Sequence, residues 1–63
     1  MIYYFVSHDG DELVTEDAPP GYFTKQSNPD MFTQRKAAIA EQKRRLKARI
    51  EELKSVLEGL KNG

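Results

Sequence analysis

The feature that most constrains this chain is a heptad repeat in its C-terminal half. Apolar residues recur in steps of seven at Phe32, Ile39, Leu46, Leu53 and Leu60. Ile50 and Leu57 each follow a member of that series by four residues. Spacings of seven and four place side chains on one face of an α-helix, as in the seam of a coiled coil. The pattern therefore predicts one long amphipathic helix.

The predicted helix covers residues 29–61, where Ala, Leu, Lys, Arg, Glu and Gln dominate. Asn28 is expected as the N-cap and Pro29 at the first helical position. A helix of that length extends roughly 50 Å at about 1.5 Å per residue. Lys36 and Lys43 occupy the heptad position that Ile50 and Leu57 occupy further along the helix. The seam is therefore fully apolar only in its C-terminal half.

Residues 2–16 predict an antiparallel β-hairpin, because β-branched and aromatic residues flank an Asp9-Gly10 pair. Asp-Gly suits a type I′ turn, and that turn pairs Val6 with Leu13. Residues 17–28 are expected as a connecting loop, in which residues 22–24 form a short third strand or a lid over one face of the hairpin. The predicted fold is α+β, a hairpin followed by one long coiled-coil-like helix.

A chain of 63 residues forms one small domain and buries only about 60% of its unfolded surface. Without cysteine, disulfides cannot stabilise it. Strands of about six residues reach roughly 20 Å, so the hairpin is expected to cover the helix only near Phe32, Lys36, Ile39 and Ala40. Uncovered apolar residues mark an interaction surface. They are Leu46, Ile50, Leu53, Val56, Leu57 and Leu60.

Charge is segregated along the chain although the net charge is zero. Residues 1–30 hold six acidic residues and one basic residue, whereas residues 31–63 hold nine basic and four acidic residues. The seam is flanked by Arg49, Lys47 and Lys54 and by no acidic residue, so simple self-pairing brings like charges together. An acidic counterpart is expected, either the hairpin of this chain, that of a second copy, or an acidic heterologous protein.

Pairs of opposite charge four residues apart are expected to support the helix itself. They are Glu41 with Arg45, Lys47 with Glu51, and Lys54 with Glu58.

Several functional classes are disfavoured. The apolar opening of six residues is too short for a signal peptide, and no run approaches a membrane span, so a cytoplasmic protein is expected. The turn around His8 and Asp9 lacks the ligand spacing of a calcium loop, and no metal or cofactor is expected. A chain this small has little room for a catalytic pocket, so an enzyme is not expected.

Two functional hypotheses remain. The first is a small regulatory module that forms a homodimer or higher oligomer and binds a protein partner, in the manner of an accessory or inhibitory protein of a virus or mobile element. Its interface would comprise Leu46, Ile50, Leu53, Leu57, Leu60, Arg49 and Lys54. The second is a dimer that binds nucleic acid through a basic cluster. That cluster comprises Lys43, Arg44, Arg45, Lys47 and Arg49.

Overall fold

A three-stranded antiparallel sheet and one long helix make up the computed structural model, which describes residues 1–62. The elements are β1 (Ile2–Val6), β2 (Leu13–Asp17), β3 (Met31–Phe32) and α1 (Arg35–Asn62). The strands lie in the order β2-β1-β3. The predicted α+β fold, an N-terminal hairpin followed by a long helix, is confirmed.

The hairpin has the predicted register but a different turn. Val6 pairs with Leu13 and Phe5 with Val14. The N–H of Gly10 donates to the Ser7 carbonyl at 3.0 Å, so His8 and Asp9 are the central residues. Type I′ is wrong, since no non-glycine residue in the described chain has a positive φ; Gly10 alone in this turn does, at 78°. This arrangement spares Asp9 the cost of a left-handed conformation.

The helix begins at Arg35 rather than at the predicted Pro29. Met31 and Phe32 instead form β3 and pair with Phe5 and Tyr4 of β1. The second edge of β1 is thereby hydrogen-bonded, and Met31 becomes 5% exposed. Tertiary pairing overrides the local helix-start signal here. The heptad series accordingly starts at Ile39 within α1, and Phe32 is not part of it.

The connection between the hairpin and β3 acts as a lid and contains no strand at residues 22–24. The Phe23 ring meets the Tyr3 and Phe5 rings edge to face, each with centroids 5.1 Å apart. The Tyr3 hydroxyl donates to the Pro19 carbonyl at 2.9 Å and accepts from the Gly21 N–H at 3.0 Å. These contacts order the loop over the face of the sheet that carries Tyr3.

Both faces of the sheet contribute to a small core. Tyr3 and Val6 point to opposite faces of β1 and are 1% and 3% exposed. On the helix, Ala38 is fully buried. The short side chain of Ala38 lets the helix approach the sheet closely, because it adds little volume between the two elements.

The packed stretch of α1 includes the half-buried Ile39, as predicted, but extends further along the helix than predicted. A β-carbon on Gly10 would lie 2.6 Å from the Gln42 carbonyl oxygen and 2.9 Å from the Leu46 nitrogen. Lys36 and Ala40, which were expected under the hairpin, are exposed. Because Gly10 has no side chain and adopts a positive φ, the backbone of the turn can contact the backbone of the helix at residues 42–46.

Candidate protein-interaction surface

The C-terminal half of α1 projects beyond the sheet. The molecule measures 53 × 20 × 13 Å, and every described side chain from Lys47 to Lys61 is exposed. We refer to residues 47–61 as the arm. The prediction that the hairpin cannot cover the whole helix is therefore confirmed in the structure.

An apolar row runs along the arm and starts at its junction with the packed half of the helix. We define the apolar row as Leu46, Ile50, Leu53, Val56, Leu57 and Leu60. Exposure of these side chains rises from 37% at Leu46 to 75% at Leu60. A contiguous stripe of aliphatic side chains in water is costly and marks a surface that another molecule can cover.

Part of the apolar row faces a different direction from the surface that packs on the sheet, whereas Val56 and Leu60 lie in line with Ala38 and Gln42 further along the helix. The sheet contacts the helix around Ala38, Gln42 and Arg45. At about 100° per residue, Leu46, Ile50 and Leu57 lie roughly a quarter of a turn away from that surface. A partner can therefore approach the apolar row from beside the sheet.

A line of five lysines borders the apolar row on the side away from the sheet. We call it the lysine edge; it comprises Lys36, Lys43, Lys47, Lys54 and Lys61, all exposed. None of the five lies within ion-pair distance of a carboxylate in residues 1–62. The predicted pairs Lys47–Glu51 and Lys54–Glu58 are thus absent from the described residues. These ammonium groups are available to an acidic partner.

The basic cluster is divided between structural and free residues. Arg44 donates two hydrogen bonds of 2.7 Å to Glu41. Arg45 bonds Asp30 at 2.6 Å and the Ser7 carbonyl at 3.0 Å, and it also reaches Glu41 at 3.1 Å, which confirms that predicted pair. Arg45 therefore joins helix, hairpin and the segment before β3.

The remaining predicted basic residues keep their exposed positions. Arg49 lies 3.7 Å from Glu52 within the arm. Lys43, Lys47 and Lys54 belong to the lysine edge. Of the five residues in the basic cluster, Arg45 thus holds the fold and Arg44 is paired with Glu41 of its own helix, and this reduces the charge offered to phosphates.

The same contacts perturb three titrating groups. The hydrogen bonds from Arg44 lower the pKa of the Glu41 carboxyl; burial opposes this and Arg45 adds to it. The hydrogen bond to Asp30 raises the pKa of Arg45, and the bonds to Glu41 raise that of Arg44. Glu41 thus stays ionised, and both arginines stay charged, across the neutral range.

Other kinds of site find no support in residues 1–62. No group of three or more His, Cys, Asp or Glu side chains is arranged to hold a metal ion there. No helix in that range is long and apolar enough to cross a membrane. A surface depression of about 540 Å³ is lined by Arg35, Lys36, Ile39, Ala40 and Lys43, a set that offers no acid–base pair.

Two features of this surface escaped sequence reasoning. The structural role of Arg45 depends on its contact with the Ser7 carbonyl. This contact forms only in the folded chain and cannot be predicted from the spacing of residues in the sequence. The lysine edge was detectable, because Lys36, Lys43, Lys47, Lys54 and Lys61 follow steps of seven, four, seven and seven. Reading lysines with the same periodicity as the apolar residues would have found it.

Comparison of this chain with protein-family models, with curated proteins and with solved structures finds no match.

Proposed function

We propose that this chain is a non-enzymatic protein-binding module that self-associates and binds through its projecting helix. The observation that carries the proposal is the exposure of the whole apolar row on an arm that the sheet does not cover. Helices with an unpartnered apolar stripe bind another helix or a hydrophobic groove through residues spaced by three and four.

The energetics favour an interface that adds charge contacts to apolar burial. Burying a half-exposed aliphatic side chain yields roughly 1 kcal/mol. Self-association buries six such residues on each of two copies, which yields about 12 kcal/mol together. Association costs an estimated 4–15 kcal/mol in lost freedom. Apolar burial between two copies is therefore comparable to that cost, and the lysine edge supplies selectivity and additional attraction.

The competing hypothesis is a dimer that binds nucleic acid through the basic cluster. Reversing Arg44 and Arg45 is a poor test of it, because Arg45 also holds the hairpin on the helix. Reversing Lys43 and Lys47 removes two exposed charges without breaking an ion pair of the described chain. A nucleic-acid binder would lose affinity in this variant, and the wild type would lose it steeply with added salt.

The first test is the native mass, measured by size exclusion with light scattering at low and high salt, with absorbance at 260 and 280 nm. We expect a dimer or larger assembly that survives high salt and has a protein-like absorbance ratio. A particle that carries nucleic acid at low salt and loses it at high salt would favour the competing hypothesis.

The matched variants are Leu53→Asp and Ser55→Asp. Both introduce one carboxylate at an exposed position of the arm, but Ser55 lies on the opposite side of the helix from Leu53. We expect Leu53→Asp to abolish assembly, because a charge in an apolar seam is desolvated without a partner. Ser55→Asp should assemble normally. Equal masses for the wild type and both variants would overturn the proposal.

A further inference from the structure

The two outer edges of the sheet differ in how their main-chain groups are satisfied. β3 forms one edge, and its outward groups are bonded within the chain. The Met31 N–H donates to the Asn28 carbonyl at 3.0 Å, and the Met31 carbonyl accepts from the Lys25 ammonium at 2.6 Å. The loop thus closes this edge to a further strand, and β2 forms the other edge.

The hydrogen bonds between β1 and β2 determine which groups of β2 point outward. The Ser7 N–H donates to the Glu12 carbonyl and the Ala18 N–H to the Met1 carbonyl, both at 3.0 Å. Bonded and non-bonded pairs alternate along an antiparallel ladder, so every second residue between them directs its N–H and C=O away from β1. These residues are Leu13, Thr15 and Asp17. Their main-chain groups form no hydrogen bond with any other group of residues 1–62.

The side chains of β2 on the Tyr3 face of the sheet form an acidic–apolar–acidic series. Residues directly opposite in an antiparallel pair share a face, and Tyr3 lies opposite Glu16 and Phe5 opposite Val14. Glu12 precedes Val14 by two residues and so belongs to the same face. All three members of the series are exposed, and neither glutamate lies within ion-pair distance of a basic group in residues 1–62.

The neighbouring aspartates are already engaged within the chain. The Asp11 carboxylate accepts a hydrogen bond of 2.7 Å from the Ser7 hydroxyl. Asp17 lies 3.1 Å from the N-terminal ammonium group of Met1. The free negative charge along this edge therefore belongs to the two glutamates of the series.

This charge selects the strand that can pair with β2. If two copies paired through β2, Glu12 and Glu16 of both would lie on one face of the joined sheet, and like charges on adjacent strands destabilise their pairing. Charged side chains on an edge strand oppose unselective pairing in general. A basic strand is the exception, because its cations lie beside the two carboxylates. Charge complementarity thus favours a basic segment of another protein over a second copy.

We propose that the outer edge of β2 binds an extended basic segment of a partner protein as a fourth strand of the sheet. Alternate residues of the added strand face Glu12, Val14 and Glu16, so the segment carries a basic, an apolar and a second basic residue, each separated by one residue. Main-chain hydrogen bonds supply affinity, and the charge pairs supply selectivity. This site is separate from the arm, so it goes beyond the proposed function and does not depend on it.

Short peptides test the charge preference. The probe is a fluorescein-labelled peptide of sequence TKTVTKT with blocked ends, titrated with the wild-type chain at low salt and followed by fluorescence anisotropy. We expect saturable binding that weakens with added salt, and little binding of the acidic version TETVTET. Absence of TKTVTKT binding, or equal binding of both peptides, would overturn the proposal.

N-methylated peptides separate strand addition from attraction by charge alone. One version of TKTVTKT carries N-methyl groups on its inner threonines, and the other carries them on the lysines and the valine. A strand presents only every second N–H to its neighbour, so one version should bind about tenfold more weakly and the other should bind as the unmodified peptide does. Equal binding of all three peptides would overturn strand addition.

Thr15→Pro tests the same edge from the protein side. Its N–H points outward, so proline removes a docking donor without removing a hydrogen bond to β1. We expect TKTVTKT binding to weaken about tenfold with an unchanged circular dichroism spectrum. The matched control Thr15→Val keeps the N–H and should bind as the wild type does. Binding to a folded Thr15→Pro chain with wild-type affinity would contradict the proposal.

Amide exchange in the wild-type chain gives a readout that does not depend on how a variant folds. Saturation with TKTVTKT should slow hydrogen exchange at the outward amides of Leu13, Thr15 and Asp17, measured by NMR. Saturable binding with unchanged exchange at all three amides would place the peptide elsewhere and overturn the proposal.

A charge swap tests the two glutamates. The double variant Glu12→Lys with Glu16→Lys should lose about tenfold in affinity for TKTVTKT and should instead bind TETVTET. Glu51→Lys changes an exposed acidic residue of the helix and is the control, which should keep the wild-type preference. Failure of the double variant to reverse the preference would contradict the assigned role of the glutamates. Leu53→Asp should leave peptide binding intact, so failure here and failure of the proposed function are distinguishable.

Discussion

The two halves of α1 differ in both composition and environment. Residues 35–46 lie against the sheet, and that half is held by a buried alanine, a glycine contact and the hydrogen bonds of Arg45. Residues 47–61 carry most of the large aliphatic side chains of the helix, and all are exposed. Apolar residues are thus concentrated where the chain itself offers no core. The first half thus packs on the sheet, and the second half carries the exposed surface on which the proposed function rests.

The comparison predicts that changes in the packed half alter stability, whereas changes in the arm alter assembly. The largest effect on stability is expected at Gly10. Gly10→Ala adds a methyl group 2.6 Å from the Gln42 carbonyl oxygen, at a φ of 78°. We expect a loss of about 2–4 kcal/mol in the free energy of unfolding, measured by urea denaturation.

Gly21→Ala is the matched control, since Gly21 has a similar φ of 82° but no atom within 4 Å of the added carbon. It should cost only about 1 kcal/mol, the penalty of the left-handed conformation itself. Equal losses for the two variants would show that the close contact between turn and helix is unimportant.

An intermediate effect is expected at Arg45. Arg45→Gln removes its hydrogen bonds to the Ser7 carbonyl and to Asp30 and should cost about 1–2 kcal/mol at neutral pH. Arg44→Gln is the control, because the hydrogen bonds of Arg44 go only to Glu41 of the same helix. The Arg44 variant should lose less stability, and the reverse order would contradict the assigned role of Arg45.

The pH dependence of stability tests the contribution of the Glu41 ion pairs in the packed half of the helix. The fold lowers the pKa of Glu41, so the stabilisation from its ion pairs is present above the ordinary glutamate pKa of about 4.3 and is lost as pH falls through the lowered value. The stability difference between wild type and Arg44→Gln should therefore shrink below about pH 4. A difference that stays constant down to strongly acidic pH would contradict this linkage.

The smallest effect, and one of opposite sign, is expected in the arm. Gly59 lies inside the helix with no atom within 4 Å of an added β-carbon. Gly59→Ala should raise helicity and stabilise the chain by about 0.5–1 kcal/mol, measured by circular dichroism and denaturation. Because Gly59 lies outside the apolar row, the native mass should not change.

Sequence reasoning succeeded where one strong periodicity or pairing signal acted without competition. The hairpin register followed from centring the turn on Asp9-Gly10, and it holds although the turn is not type I′. The exposed apolar row followed from the mismatch between hairpin and helix lengths. It was wrong at the helix start, because Asn28-Pro29 resembles a cap whereas pairing of Met31 with Phe5 stabilises a strand. It was also wrong on the turn type, since the signal for an Asp-Gly turn does not say which two residues are central.

The candidate surface also contains residues that could be assigned from the sequence and residues whose roles could not. Leu53 and Leu57 were assigned from the heptad repeat, because helical geometry alone places them on one face. The distinction between Arg45 and Lys47 was not available from sequence, since both are basic residues in one cluster and only Arg45 reaches Ser7 and Asp30.

By itself, the sequence determined the elements and their periodic faces, because backbone propensity and side-chain spacing are local properties. It also determined the imbalance between a short acidic hairpin and a long basic helix. Only the tertiary structure decided where the hairpin meets the helix, and therefore which arginine is structural. Those outcomes depend on the contact of Gly10 with Gln42 and on the pairing of β3, which join residues distant in sequence.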